Sequence, residues 1–110
     1  MNELRTGALR HRLTLEAVSR VDDEGGGGIV LWTPVSEVWA GIEPLPGREV
    51  VLADGVKAVV THEVRLRHRE GVDSTMRFVR PTGGLLEIRA VRDVEERRRW
   101  LVCQCEERLP

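Results

Sequence analysis

The strongest constraint on the fold is a strict period of two in THEVRLRHR, residues 61–69. Thr61, Glu63 and Arg65 fall on one face of an extended chain, whereas Val64 and Leu66 fall on the other. Such alternation is typical of an antiparallel strand that buries one face and leaves the other in water. We therefore expect the chain to build its core from strands.

The same period recurs along the chain. Alternating or apolar strand candidates occur at residues 11–17, 35–43, 61–69, 76–79, 85–91 and 100–105. The last of these is apolar on both parities from Trp100 to Cys103, which is typical of a strand covered on both sides. About six short strands at this spacing indicate a barrel or a sandwich. The predicted fold class is all-β, a small antiparallel β-barrel of about six strands, with one long loop or short helix after the second strand.

That loop or helix is predicted where the alternation stops, at Pro44 to Lys57. Prolines in this stretch block extension of the preceding strand. Val50, Ala53 and Val56 have helical spacing, but Gly55 and paired valines weaken a helix, so a structured loop is equally compatible. We expect this segment to be the functional loop, facing a channel or a ring neighbour, with candidate residues Pro44, Leu45, Pro46, Gly47, Arg48, Glu49, Val50, Val51, Asp54, Val56 and Lys57.

Two of the three tryptophans, Trp32 and Trp39, have opposite parity along one strand. They can share a face only if the strand bulges between them, for example near Pro34. Otherwise one indole is available to a partner, where tryptophan is favoured. Because Trp39 lies mid-strand between Val38 and Ala40, we expect it to anchor this strand in the core.

Length and charge narrow the class of protein. The 110 residues suit a single domain over residues 1–110, and 41% hydrophobic with 32% charged residues is typical of a soluble globular chain. A formal net charge of −1 argues against a free-standing DNA-binding domain, which is usually basic. The sequence has no apolar leader segment and no uncharged run long enough to cross a bilayer, so we expect no membrane association.

The sequence contains no recognisable catalytic or ligand-binding pattern. Gly25 to Gly28 lack the lysine and hydroxyl residue of a phosphate-binding loop, so they suit a flexible hairpin. Two histidines of one strand, His62 and His68, are about 20 Å apart in an extended chain and cannot share a metal. Cys103 and Cys105 lie in an apolar strand that disfavours thiolates. We therefore expect no cofactor, no metal and no enzymatic activity.

Five stretches in a fixed order carry a resemblance. They are LRHRLTLE (9–16), WTPVSEVWAGIEPLPGRE (32–49), VTHEVRLRHREGV (60–72), MRFV (76–79) and LLEIRAVRDVEERRRWLVCQCEE (85–107). In this order they resemble the phage head–tail joining proteins, also called head-closure or stopper proteins, of long-tailed phages and gene transfer agents. The resemblance covers nearly the whole chain.

The resemblance implies a structural protein of the virion neck, made in the bacterial cytoplasm. It implies a β-barrel whose copies, six or twelve, form a ring between the portal–adaptor proteins and the tail terminator or tail tube protein. Such a ring retains the packaged double-stranded DNA in its channel and gives the tail a docking surface. The alternative function is an OB-like nucleic-acid-binding module, although four aromatic residues and the net charge of −1 do not favour it.

Overall fold

The structure is a computed structural model that describes residues 9–22, 24–52 and 54–109. It contains six strands and one short 3-10 turn within these residues. They are β1 (His11–Asp22), β2 (Gly28–Val51), β3 (Lys57–Arg67), β4 (Arg77–Val79), β5 (Leu85–Asp93), the turn Val94–Glu96, and β6 (Trp100–Arg108). This confirms the predicted all-β class and its six strands.

The strands close a barrel in the order β1-β2-β3-β6-β5-β4, and each neighbouring pair is antiparallel. Alternate residues of each strand point inward, as the period of two requires. The core cluster consists of Leu13, Leu15, Ala40, Val64, Leu66, Met76, Phe78, Leu86, Ile88, Leu101, Cys103 and Cys105. The alternations seen in β1, β3 and β5 therefore identify the inner face of the barrel correctly.

Two long hairpins extend beyond the barrel wall. Past Glu16, β1 pairs only with β2, which defines a "glycine arm" of residues 17–33. Before His62, β3 pairs only with β2, which defines a "proline arm" of residues 45–61. Because β2 starts in the glycine arm and ends in the proline arm, the two arms leave opposite ends of this strand. The molecule is correspondingly elongated, with extents of 53 × 30 × 27 Å.

The predicted loop or short helix after the second strand is wrong. β2 continues to Val51, and β3 begins at Lys57, so residues 44–57 are mostly hairpin. Pro44 pairs with His62 and Arg48 pairs with Val60, which leaves three residues of β2 opposite Thr61. Leu45 to Gly47 interrupt the visible alternation, but the insertion is even, so Arg48 and Val50 keep the parity of Ala40 and Ile42 and the pairing continues. Ala53, part of the proposed helical stripe, lies outside the described residues.

A second bulge lies in the tryptophan segment. Leu15 pairs with Ser36, whereas Glu16 pairs with Pro34, so Val35 is the extra residue. The bulge restores a common parity to Trp32 and Trp39, and both lie on the outer face, opposite Val18 and Arg12. Of the two alternatives left open by the sequence, a bulge next to Pro34 is the one present, but it brings the indoles together outside the barrel rather than inside.

No helix among the described residues has the length and apolar character needed to cross a membrane.

Candidate functional site

The exposed apolar surface is concentrated on the arms. Of the 11 exposed large hydrophobic residues in the described chain, five lie on the glycine arm and three on the proline arm. These eight residues are Val18, Val21, Ile29, Val30, Leu31, Val51, Val56 and Val59. Exposed aliphatic residues grouped on projecting hairpins are a feature of surfaces that another chain covers.

The outer wall of the barrel is polar, unlike the arms, because ion pairs cover it. Arg89 binds Glu106 at 2.8 Å and Glu87 at 3.0 Å, and Arg108 binds Glu87 at 3.0 Å. On β3, Arg65 pairs with Glu63 at 2.9 Å. Such a wall is well hydrated and self-neutralised, so the arms are the better candidates for contact with partners.

The base of the proline arm is tied to the barrel through Thr61. The N–H of Glu107 donates to the Thr61 hydroxyl at 2.7 Å, just past the last β3–β6 pair, His62 with Cys105. The hydroxyl oxygen also lies 2.9 Å from Nδ1 of His62. The three bulged residues opposite Thr61 are Leu45, Pro46 and Gly47. The arm is thus held on β6 at its base and reaches away from there.

A compact turn closes the tip of the proline arm. The Gly55 N–H donates to the Leu52 carbonyl at 2.9 Å, and the Val56 N–H donates to Asp54 Oδ1 at 3.0 Å. Gly55 has φ +85, a left-handed conformation that favours glycine. The turn is therefore specified by two sequence signals, the aspartate and the glycine that follows it.

The two faces of the proline arm differ. Arg48, Val50 and Ala58 continue the barrel's inner face, and Val60 at their base is buried. The other face carries the exposed Val51 and Val59, with Glu49 and Lys57 forming an ion pair at 3.6 Å. The predicted site residues Pro44, Pro46, Gly47, Arg48, Glu49, Val51, Asp54, Val56 and Lys57 are exposed, whereas Leu45 and Val50 are half-buried. The predicted segment is therefore a largely exposed hairpin instead of a loop or helix, and its role as the functional segment stays a prediction.

The glycine arm was missed as a candidate surface. Its turn occupies residues 24–27, with Gly26 at φ +83. On the face that continues the barrel interior, Val21 pairs with Ile29 and Ser19 pairs with Leu31. The sequence does contain a signal for this surface. The apolar run Ile29, Val30 and Leu31 follows the glycines, and Val18 and Val21 precede them, so apolar residues flank the glycines on both sides.

The two tryptophans have different environments. Trp32 stacks beneath the Arg77 guanidinium, whose carbon lies 4.1 Å from the ring centroid, and Arg77 also binds Glu16 at 2.8 Å. Trp39 is 55% exposed, with the Arg12 guanidinium 5.8 Å from its ring. The prediction that Trp39 anchors the core is wrong, because Val38, Ala40 and Ile42 occupy the inward parity of β2.

Trp39 instead borders a groove of about 340 Å³ at the end of the barrel where β1 begins and β3 ends. The groove is lined by Leu9, Val38, Trp39, Leu66, Arg67, His68 and Arg69. Arg67 is held in place by Trp100, with its guanidinium carbon 5.2 Å from the ring. The groove thus combines an apolar floor with two guanidinium groups.

The barrel interior disfavours thiol chemistry. Burial raises the pKa of Cys103 to about 12 and also raises that of Cys105, so both thiols stay protonated near neutral pH. Within the described residues, His, Cys, Asp and Glu form no group of three that could hold a metal ion.

Comparisons with known proteins agree with this picture. The model of the phage head completion protein family matches residues 4–108. The chain belongs to this family. Its members' name describes a structural role in the phage head, and this chain is accordingly a structural component of a phage-type particle.

Two solved structures resemble this head completion protein. A chain in the virion of a native gene transfer agent particle matches with a TM-score of 0.67 and 25% identity over 93% of this chain and 97% of that chain. A protein from Shigella flexneri 2a, known from its solution structure, matches with a TM-score of 0.68 and 23% identity over 94% and 96% of the two chains. The second likeness bears on the fold alone. No curated protein sequence matches this chain significantly.

Proposed function

We propose that this head completion protein forms a ring in the particle neck, between the portal–adaptor proteins and the tail terminator or tail tube protein. The ring, of six or twelve copies, retains packaged double-stranded DNA and offers the tail its docking surface. The observation that carries the proposal is the segregation of apolar surface onto two arms at opposite ends of β2, above a barrel wall covered by ion pairs. Family membership and the likeness to a gene transfer agent virion chain support it.

In this proposal the proline arm is the working part, facing the channel or a neighbouring subunit. Its charged residues Arg48, Glu49, Asp54 and Lys57 sum to zero, and Glu49 and Lys57 neutralise each other. A channel that must later release DNA should avoid dense positive charge, because each phosphate contact adds salt-dependent affinity. A hairpin of zero net charge that bears exposed valines narrows a channel sterically while leaving the DNA free to move. The role requires no catalytic group.

The experiment shortens the proline arm without touching the barrel. Replacing residues 49–59 by Asn-Gly joins Arg48 to Val60, which already pair, through a two-residue turn of the favoured hairpin type. We expect the barrel to fold and the particles to leak DNA or fail to join tails. DNA retention and tail occupancy are measured by nuclease protection and electron microscopy.

A matched control distinguishes the effect of the arm's length from the effect of its exposed side chains. The triple substitution Val51→Ser, Val56→Ser and Val59→Ser keeps the hairpin length and changes only exposed side chains. If length narrows the channel, this variant retains DNA; if the valines bind a neighbour, it fails like the shortened arm. Particles that retain DNA and carry tails normally with the shortened arm would show that this arm is not the working part.

One observation favours the alternative, an OB-like nucleic-acid-binding module. Trp39 is exposed beside Arg12, and single-stranded nucleic acids bind by stacking on such aromatic rings next to cations. A salt-titrated binding assay with single-stranded oligonucleotides decides this. Tight, salt-sensitive binding that is lost in Trp39→Ala would support the module, and weak binding unaffected by this substitution would exclude it.

A further inference from the structure

The glycine arm and the Trp39 groove are complementary surfaces at opposite ends of β1. The groove lies beside Leu9, just before β1 begins, and the arm's turn follows Asp22, where β1 ends. The 12 residues of β1 separate them by roughly 35 Å of extended strand. One subunit therefore carries both surfaces but cannot bring them together itself.

The chemistry of the two surfaces matches. The arm offers the exposed aliphatic face of Val21, Ile29 and Leu31, and its tip bears the carboxylates of Asp22 and Glu24. The groove offers an apolar floor and the exposed Trp39 indole, with Arg67 and Arg69 in its lining. Aromatic and arginine residues are the types most enriched where protein interfaces are tightest.

The balance of charge on the arm agrees with this match. The sequence of the arm carries Arg20, Asp22, Asp23 and Glu24, which sum to −2. The Arg20 side chain lies across Gly28, where an added Cβ would meet Arg20 Cγ at 3.2 Å. Arg20 and Asp22 both lie on the outer face, opposite the aliphatic face of Val21 and Ile29, and Asp22 is the nearer of the two to the tip of the arm.

We propose that the glycine arm of one subunit seats in the Trp39 groove of the next copy of the same chain. Because the two surfaces are different and lie at opposite ends, the contact is head-to-tail, the type that generates a ring when its rotation closes. The inference rests on the proposed function for the existence of a ring, and it names the surfaces that make the ring contact.

Chemical cross-linking between single-cysteine variants tests the contact. Val30→Cys places a thiol on the exposed outer face of the arm, and His11→Cys places one at the groove end of β1, both leaving the proposed contact residues intact. Ser74→Cys, in the exposed connection between β3 and β4, is the matched control. The native thiols are buried, and their raised pKa keeps them unreactive towards a short bis-maleimide.

We expect a dimer when concentrated Val30→Cys and His11→Cys proteins are mixed, at a yield at least about tenfold above Val30→Cys mixed with Ser74→Cys. The double variant Val30→Cys/His11→Cys should give a ladder that ends at a closed ring. Reversing the tip charges with Asp22→Lys and Glu24→Lys should remove these products, and added salt should weaken them. Circular dichroism melts verify that each variant is folded.

Several outcomes would overturn the inference. Self-linking of Val30→Cys as the main product would indicate a symmetric contact instead of a head-to-tail one. Equal yields with Ser74→Cys, a product insensitive to charge reversal, or no product in concentrated protein and in particles would exclude the contact. Competition by a single-stranded oligonucleotide that binds tightly would assign the groove to nucleic acid.

The two experiments can contradict either proposal without contradicting the other. If the cross-link is absent while the shortened proline arm still abolishes DNA retention, the ring uses other surfaces and the proposed function stands. If the cross-link forms and the shortened arm has no effect on particles, the contact stands and the proposed role of the proline arm fails.

Discussion

At the scale of single residues, the two outer tryptophans contribute differently to stability. Trp32 is half-buried against Arg77, which is itself fixed by Glu16, so it locks the glycine arm to β4 at the point where barrel pairing ends. Trp39 contacts Arg12 and borders the groove with more than half of its surface exposed. Trp32 therefore contributes to the packing of the fold, whereas Trp39 is a surface residue.

We predict that Trp32→Ala lowers the free energy of unfolding by about 2 kcal/mol, from lost packing and the lost cation–π contact. Trp39→Ala should cost less than about 1 kcal/mol, because surface substitutions are usually mild. Urea titrations of both variants measure this, with Trp100 as a common fluorophore. A larger loss for Trp39→Ala would contradict the assignment.

His62 gives the fold a dependence on pH. Burial lowers the pKa of His62; the Glu107 carboxylate partly opposes this, and Arg80 adds to the lowering. The folded state thus holds neutral His62, whereas the unfolded chain takes up the proton at higher pH. This contribution to stability is complete above the unfolded pKa, near 6.5, and declines as the pH falls below it.

We predict that stability falls less steeply between about pH 7.5 and 5.5 in His62→Gln than in the parent chain. Glutamine keeps a polar atom near the Thr61 hydroxyl and removes the titration. The measurement is the urea midpoint at several pH values, with the exposed His11→Gln as control. Parallel curves for the parent and His62→Gln would rule out this role.

At the scale of elements, the two bulges of β2 differ in their effect on where its side chains point. One extra residue at Val35 places Trp32 and Trp39 on one outer face, whereas the two extra residues of the Leu45–Gly47 bulge leave the parity of the proline arm unchanged. Because a slip of one residue exchanges the faces of a strand, the bulge at Val35 sets the orientation of the side chains beyond it.

We predict that deletion of Val35 destabilises the glycine arm far more than Val35→Ala. The deletion would turn Trp32 inward or break the β1–β2 pairing, whereas alanine keeps the bulge and removes only an exposed side chain. Amide exchange should accelerate on the arm in the deletion variant and stay near the parent rate in Val35→Ala. Unchanged protection in the deletion variant would mean that the bulge does not set the register.

The alternation of polar and apolar residues in the sequence predicts the strands of the barrel but not the two arms. Leu13 and Leu15, or Leu86 and Ile88, alternate with polar residues and fall in the core as predicted. The pattern cannot identify a bulge, because an inserted residue looks like the end of a strand when partners are unknown. Residues 44–57 therefore read as a loop, and Trp39 was placed inside although its parity is opposite to that of Val38 and Ala40.

At the scale of the whole molecule, most of the exposed apolar surface of the described residues lies on the two arms. Eight of the 11 exposed large hydrophobic residues of the described chain lie on the two projecting hairpins, and the wall between them is charged. A stable pairwise interface buries about 800 Å² on each partner, which a single narrow hairpin supplies with difficulty. In the proposed ring on a portal–adaptor template, each copy would be joined on two sides, which would raise the effective concentration of each contact.

We therefore predict that the purified protein is monomeric or weakly associated at about micromolar concentration, and that its ring forms on the particle. The charged outer residues Arg65, Arg89 and Arg108 are saturated by carboxylates within the subunit, which leaves the arms to carry the association. Sedimentation velocity over a concentration series should show a weak, salt-sensitive self-association, and Asp22→Lys with Glu24→Lys should reduce it to pure monomer. A stable closed ring of purified protein, formed without any template, would contradict the prediction, because the arm contact would then suffice for assembly by itself.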